Sequence, residues 1–589
     1  MVNVLTSILT EEPPGFIGDR QPLGAKALRL QTAVDLAFLI GLFWIARYWH
    51  SARFGLYEDD LTLIPDAFAR SFSSLLDFIG NYIATFSGQG RPFSHSFIYL
   101  FSWLGWQLDG LRGAYLIGYV LAVLNIMLFF LLVRRASDRA LALMAGIGYV
   151  LYSADTTQAF LTISFGVQPS ITFVLLAAHK YLSGRRLLAY LLAFFPLFIY
   201  ETPYLLFLAA PLFKQRWDRP LLRELLWHTT ILGLMLAGVF LFRYLLGEGR
   251  VGNLSPTQVF TVPLLHMLQG PVVSLGTFGL RPLQALQGIN LDIAAATVVG
   301  FAVFLFMFSR LRVGPPVAMS QLWKIIRSPE ARRESPEVLR MLARLAVIGL
   351  TLLILAYPLT FTVRAYAISG RDTRVHTAGV AGAAILVACL VYLLLLLAQN
   401  RWRLWANVAL AAYFALLLGY GFVVQRDYVL AWQYQREFWT ELLPLIPDAA
   451  PGTVVLVEPS GLKDTRQIGA NYWNMARVLN QLYVFPPSDD PPPHVNRLNP
   501  GWERDLGSSD GLLALNERTG WTINDVYGSY PSTSVIFIET TGGELARRSA
   551  PLILDGQEFP LKPVGPAFLP ELQSTLLHEM LIASSSQGK

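Results

Sequence analysis

Three carboxylates stand side by side at Glu58, Asp59 and Asp60, in the stretch GLYEDDLTL. Further along, GQGRPFSH supplies Arg91 and His95, YSADTTQ supplies Asp155, and IYETP supplies Glu201. The segment 247–290 adds Arg250, His266 and Arg281, and RAYAISGRDTRVH adds Arg364, Arg371, Arg374 and His376. Carboxylates at one end of this set and guanidinium groups at the other suit a transfer from a phosphate leaving group. A hydroxyl is a weak nucleophile at neutral pH, and a carboxylate within hydrogen-bond reach takes its proton as the new bond forms. Crowded, partly desolvated carboxylates make better bases. A departing phosphate gains negative charge, which arginine forks hold bidentately without ever deprotonating. Three adjacent carboxylates also admit a divalent cation, Mg or Mn.

Each residue alone has an ordinary structural reading. The EDD run can be a solvated helix end, RDTRVH a loop at lipid headgroups, Glu201 a helix cap and Asp155 a turn residue. His95 and His266 have no paired-His spacing or HExxH pattern that would argue for zinc. The combination is what points to chemistry.

These groups need a scaffold, and composition says what kind. Of the 589 residues, 54% are hydrophobic and 15% charged, with mean hydropathy +0.45. A soluble domain is nearer a quarter charged, so the chain reads as an α-helical polytopic membrane protein. The lone cysteine, Cys389, excludes an intramolecular disulfide. No Gly-rich phosphate loop or solenoid repeat is present, and nothing points to nucleic acid.

Apolar runs of roughly 20 residues span a bilayer. They fall at about 31–50, 113–133, 139–154, 165–182, 222–246, 291–309, 341–362, 376–397 and 404–424. The run 187–213 carries Glu201 and two prolines, and reads as two short arms hinged at Tyr200-Glu201-Thr202-Pro203. The total is about eleven spans. Arg20, Lys26 and Arg29 place the N-terminal segment 1–30 in the cytoplasm, and RRASDR and the arginine-rich 310–340 loop are also cytoplasmic. The first thirty residues lack the pattern of a cleaved signal, so the first span reads as an uncleaved anchor. Residues 51–112 then form a long external loop, with SFSSLLDFIGNYIATF as an amphipathic helix and 93–108 as an interfacial one. All the candidate residues above fall on the external side. Beyond 425 the apolar runs shorten, and 425–589 reads as an extracytoplasmic α/β domain. GTVVLVEPS and STSVIFIET are its strands, PELQSTLLHEMLIA a helix and SDDPPPHVNRLNPGW a rigid loop.

An acidic first external loop followed by GRP and an apolar helix resembles the GT-C superfamily of polytopic glycosyltransferases. The resemblance covers roughly 30–424. It implies transfer of a sugar from a polyprenyl-phosphate donor to an acceptor hydroxyl on a glycan, lipid or protein, by inverting single displacement, at a bacterial inner membrane. By position, YEDD offers Asp59 as the base with Asp60 as its partner, and GRPF offers Arg91 for positioning. SGRDTRVH offers Arg371 and Arg374, with Arg364 nearby, for the donor phosphate. The chain departs from the pattern in having EDD rather than one clean pair. Its C-terminal domain resembles nothing nameable. A transporter using Glu201 and a non-catalytic envelope assembly protein are the rival readings.

Overall fold

The fold comes from a computed structural model of the chain. It describes residues 25–85, 90–214, 217–248, 256–328, 335–361, 364–398, 401–469, 472–498, 513–516, 520–525, 528–554 and 557–583. Most of the expected cytoplasmic segment 1–30 lies outside the described residues, as do Arg250, Arg332, Arg333 and the last residues of SDDPPPHVNRLNPGW. Contacts divide the chain into two units, Met1–Ala52 with Ser73–Arg426 and Arg53–Phe72 with Asp427–Lys589.

The first unit is built from apolar helices, because in hydrocarbon only a helix satisfies its own backbone within one segment. Among the described residues, eight helices are long and apolar enough to cross a membrane, so this is a multi-pass membrane protein. Three shorter apolar helices, Arg139–Val150, Arg186–Ile199 and Tyr204–Phe213, accompany them. Helices Arg219–Leu245 and Leu291–Arg310 expose Leu222, Leu226, Leu234, Val298 and Phe306, a surface suited to lipid rather than water. Glu337–Leu355 and Val380–Leu397 pack closely. A Cβ added at Gly382 would lie 2.3 Å from the Leu353 nitrogen, so glycine sets this approach, as small residues do between membrane helices.

Several expectations are corrected. The segment 247–290, read as a loop, contains a helix, Pro256–Gln287. Its internal prolines 263, 271 and 282 hid the pattern, and packing against Glu337–Leu355 and the 371–379 segment offsets their cost. The interfacial helix over 93–108 is the first part of Pro92–Ala136, which breaks at Asp109 and Gly110. The final span does not stop at 424. Its helix runs from Arg401 to Leu442, because no Gly or Pro interrupts QRDYVLAWQYQREFWTEL, and the two units meet in sequence within it. The hinge between the two short arms falls where the sequence puts it, with helices on either side of 200–203.

The second unit is an α/β assembly. Its strands are β1 (Val454–Val457), β2 (His494–Arg497), β3 (Leu513–Asn516), β4 (Gly520–Asp525), β5 (Gly528–Pro531), β6 (Val535–Thr541), β7 (Glu544–Arg547), β8 (Leu552–Leu554) and β9 (Gln557–Phe559). The central sheet has the order β2-β1-β6-β7, parallel except for β7. Every residue of β1 is buried, as expected of a parallel strand covered on both faces. Val454, Leu456, Val535, Phe537, Leu552 and Phe559 form one core cluster. The crossover from β1 to β2 carries helix Tyr472–Leu482. The helix expected over PELQSTLLHEMLIA is helical only from Leu576, where Thr575 caps it; Pro570 lies in the separate turn Leu569–Glu571.

An ion pair ties this unit together. Asp448, almost wholly buried, takes Arg547 Nη2 at 3.1 Å and the Gly565 amide at 3.1 Å. Burial alone would raise its pKa, but the Arg547 guanidinium and the Gly565 N–H override this and hold it below the ordinary carboxylate value. A depressed folded pKa adds stability above the unfolded value of about 3.9, and that stability is lost as pH falls through the folded value. Asp448→Asn leaves Arg547 buried without its counter-charge and is expected to cost about 3–5 kcal/mol. The check is the urea concentration at which trypsin begins to cut residues 427–589 in the full-length protein. An unchanged threshold contradicts the assignment.

Candidate functional site

The acidic stretch belongs to the second unit, not with the helices that flank it in sequence. Tyr57 Oη donates to the Tyr428 carbonyl at 2.8 Å and accepts the Gly55 amide at 3.0 Å. Leu56, Tyr57, Leu61, Ile64 and Phe68 are buried, each contributing about 1.5–3 kcal/mol. Helix Asp60–Phe68 packs against Tyr472–Leu482. The carboxylates sit at the start of that helix, where the helix dipole favours negative charge. Their environments differ. Asp60 is 0% exposed, whereas Glu58 and Asp59 are half-buried. Glu58 alone among the described non-glycine residues has positive φ, at 50°. Such a conformation costs of order 1–3 kcal/mol and tends to cluster at functional sites. Glu58 also lines a cavity of about 760 Å³.

In the first unit, Arg91 and Glu201 are brought together. They form a bidentate pair, with Arg91 Nε donating to Glu201 Oε2 at 2.8 Å. Arg91 also stacks 4.4 Å over the Tyr200 ring. Arg243 continues the ladder, 3.7 Å from Glu201 and 3.6 Å from Glu248. A Cβ at Gly90 would lie 2.4 Å from Glu248 Oε2, so only glycine, here with φ +64°, lets the chain enter the GRP turn. Burial alone would raise the Glu201 pKa, but Arg91, with Arg243, pulls it down to about 2. A carboxylate held this way ties the hinge down, an arrangement unlike the mid-bilayer ion site of a transporter. His95, half-buried, stacks on Tyr82 at 4.8 Å.

The phosphate-binding candidates stand on or beside the tight helical segment Arg371–Gly379. Arg371 and Arg374 are half-buried. Arg364 is exposed and bonds Tyr366 Oη at 2.6 Å. The segment is fastened to the turn holding Asp155. Thr377 Oγ1 donates to Asp155 Oδ2 at 2.8 Å, and the Thr156 amide donates to Thr373 Oγ1 at 3.1 Å. Arg281, 1% exposed, clamps both pieces through the Ser153 and Ile368 carbonyls. It is a buried tether. His376 closes the network through Tyr357 Oη at 2.9 Å and the Ala367 carbonyl at 2.8 Å. His266 bonds Thr360 at 2.9 Å, a structural role.

Two cavities lie within this unit. One has a mixed lining, with Arg47, Asp155, Gln158, Ser164 and Gln168 set among Phe43, Ile163 and Val380. The other, of about 510 Å³, is apolar, lined by Phe129, Leu175, Leu206, Phe213 and Leu352. Both are walled by Tyr149, Ile171, Thr377 and Val380, so they adjoin. Arg47 stands on a π-helical turn, Trp44–Tyr48, and donates to the Asp155 carbonyl and Gln158 Oε1, each at 3.0 Å, and to the Tyr152 carbonyl. Sequence reasoning passed over Arg47, Arg243, Glu248 and Thr377. A signal existed for the two arginines, since each lies inside an apolar span, where a charge is costly and usually functional.

Among the described residues, no three His, Cys, Asp or Glu side chains converge so as to hold a metal ion. No protein-family model, curated protein or solved structure matches the chain.

Glu201→Gln and Arg91→Lys should each lower the thermal midpoint of the detergent-solubilised protein. The wild-type contribution of Glu201 should stay constant from pH 8 to 5, because a depressed pKa loses its stabilising effect only as pH falls towards about 2. A midpoint contribution that decays across that window contradicts the pairing. Glu58→Gly should leave stability unchanged or raise it by about 1 kcal/mol, by relieving the left-handed backbone. A large loss would assign Glu58 a structural role.

Proposed function

We propose that this protein is an integral membrane glycosyltransferase of GT-C type. It transfers a sugar from a polyprenyl-phosphate donor to an acceptor hydroxyl on the external face of a bacterial inner membrane. The single observation that carries this is the pair of adjoining cavities in the first unit. A chamber with charged and amide side chains, sharing a wall with an apolar one, suits an amphiphile, with sugar and phosphate towards the first and isoprenoid towards the second. Thr377 walls both cavities, and it stands on the same segment as Arg371 and Arg374. Guanidinium groups of Arg371, Arg374 and Arg47 hold the phosphate and stabilise the charge it gains on leaving.

In this reading the eight long helices and the three short apolar ones make eleven spans. The N-terminus is cytoplasmic and residues 425–589 are external. By the resemblance, the acidic stretch is the source of the base. Asp60 is buried completely, which leaves Asp59 and Glu58 to take the acceptor's proton. The hydroxyl oxygen attacks the anomeric carbon, the bond to phosphate breaks with its electron pair, and configuration inverts. No second carboxylate is needed as nucleophile.

The test is release of polyprenyl phosphate from a labelled polyprenyl-phosphate hexose in membranes that contain native acceptors. Asp59→Asn or Glu58→Gln, whichever removes the base, should lower turnover by about 10²–10⁴-fold with the protein still folded. Arg371→Ala and Arg374→Ala should weaken donor binding by about tenfold or more. Full turnover in both carboxylate variants, or an unchanged donor titration in both arginine variants, would overturn the reading.

A further inference from the structure

The cavity of the second unit is walled by residues of that unit, and its construction points to a ligand of its own. It lies at the carboxyl end of β1, lined by Gly461, Leu462, Lys463 and Ile468 of the loop leaving that strand. Gly461 packs against Thr540, in the last turn-ward part of parallel strand β6. Crevices at the carboxyl ends of parallel strands are where α/β sheets bind ligands, because the connecting loops diverge there.

The lining sets the chemistry. Among the described lining residues, Glu58, Glu437 and Glu441 face it with one ammonium, Lys463, so carboxylates outnumber cations there. Lys463 Nζ lies 3.1 Å from Glu437 Oε2 and 5.4 Å above the Tyr434 ring. Gln435 adds an amide that both donates and accepts. Tyr434, half-buried, offers an apolar ring beside these groups. Mixed donors and acceptors around an aromatic ring match hydroxyl groups and the C–H face of a sugar. The excess of carboxylates repels phosphate, sulfate and uronate.

We infer that this cavity binds a saccharide that carries no anionic group, with Tyr434 as its ring platform and Glu441 as a charge filter. That this saccharide is the acceptor rests on the transferase reading; that it binds here does not. Glu58 then brings a carboxylate of the acidic stretch to the bound sugar's hydroxyls.

The experiment uses full-length protein in nanodiscs at low salt, with three probes of equal length: maltotetraose, the glucosamine tetramer and tetragalacturonate. Saturation-transfer NMR and calorimetry read binding. The neutral and amine probes should bind, and the uronate at least about tenfold more weakly. Tyr434→Ala should weaken binding by about tenfold, while Tyr434→Phe, which keeps the ring, retains it. Glu441→Gln should narrow the discrimination against uronate by about threefold. Absence of binding by both the neutral and amine probes, equal binding of the uronate, or an unaltered Tyr434→Ala variant would each overturn the inference. Donor turnover is read in parallel. Binding lost with turnover intact removes this site alone, and binding intact without turnover removes the transferase reading alone.

Discussion

An ionised side chain taken from water into apolar surroundings costs several kcal/mol unless other groups replace its hydration. The first unit carries Arg47, Arg91, Glu201, Arg243 and Arg281 in such surroundings, and its architecture answers that constraint. Arg91, Glu201 and Arg243 meet one another in a ladder. Arg47 and Arg281 are met by backbone carbonyls and glutamine side chains, and carbonyls solvate a guanidinium without cancelling its charge. The turn near Asp155, the 200–203 hinge and the 371–379 segment are held in place by these contacts. A cavity with charged and amide side chains can persist inside an apolar helix bundle because its walls are fixed in this way.

That distinction separates structural from chemical charge. A guanidinium neutralised by a carboxylate, as Arg91 is, acts as a fastener. Arg47 instead bonds backbone carbonyls and Gln158 and lines a cavity together with Asp155. Predicted positioning residues thus divide. Arg91, Glu201 and Arg281 build the frame, while Asp155 reaches the cavity wall. The second unit carries the acidic stretch together with a cavity, on a sheet whose strand ends offer a binding crevice.

Much of the scaffold could be read from hydropathy, because hydrocarbon demands long apolar helices. The hinge was legible in the Tyr-Glu-Thr-Pro break, and strands β1 and β6 in their β-branched runs, whereas β2, inside the proline-rich SDDPPPHVNRLNPGW, was read as a loop. The helix Pro256–Gln287 was not, since its prolines read as loop punctuation while tertiary packing held it helical. Membership of Arg53–Phe72 in the second unit was equally hidden. It depends on Tyr57 reaching Tyr428, a contact between residues far apart in sequence that no local pattern encodes. The carboxylates were found as a cluster, but their inequality was not. Burial of Asp60 and the left-handed turn at Glu58 are properties of the folded chain. Arg47 was visible as a charge within a span, yet its meaning came only with the cavity around it.

The account turns on one amphiphile occupying both cavities of the first unit. A polyprenyl-phosphate hexose bearing photoreactive groups at the sugar and along the isoprenoid chain tests this directly, with mapping of the crosslinked peptides by mass spectrometry. Sugar-end crosslinks should fall on 152–168 and tail crosslinks on 171–175, 206–213 and 352, all competed by unlabelled donor. Crosslinks confined to the lipid-facing sides of Arg219–Leu245 and Leu291–Arg310, indifferent to competitor, would contradict it.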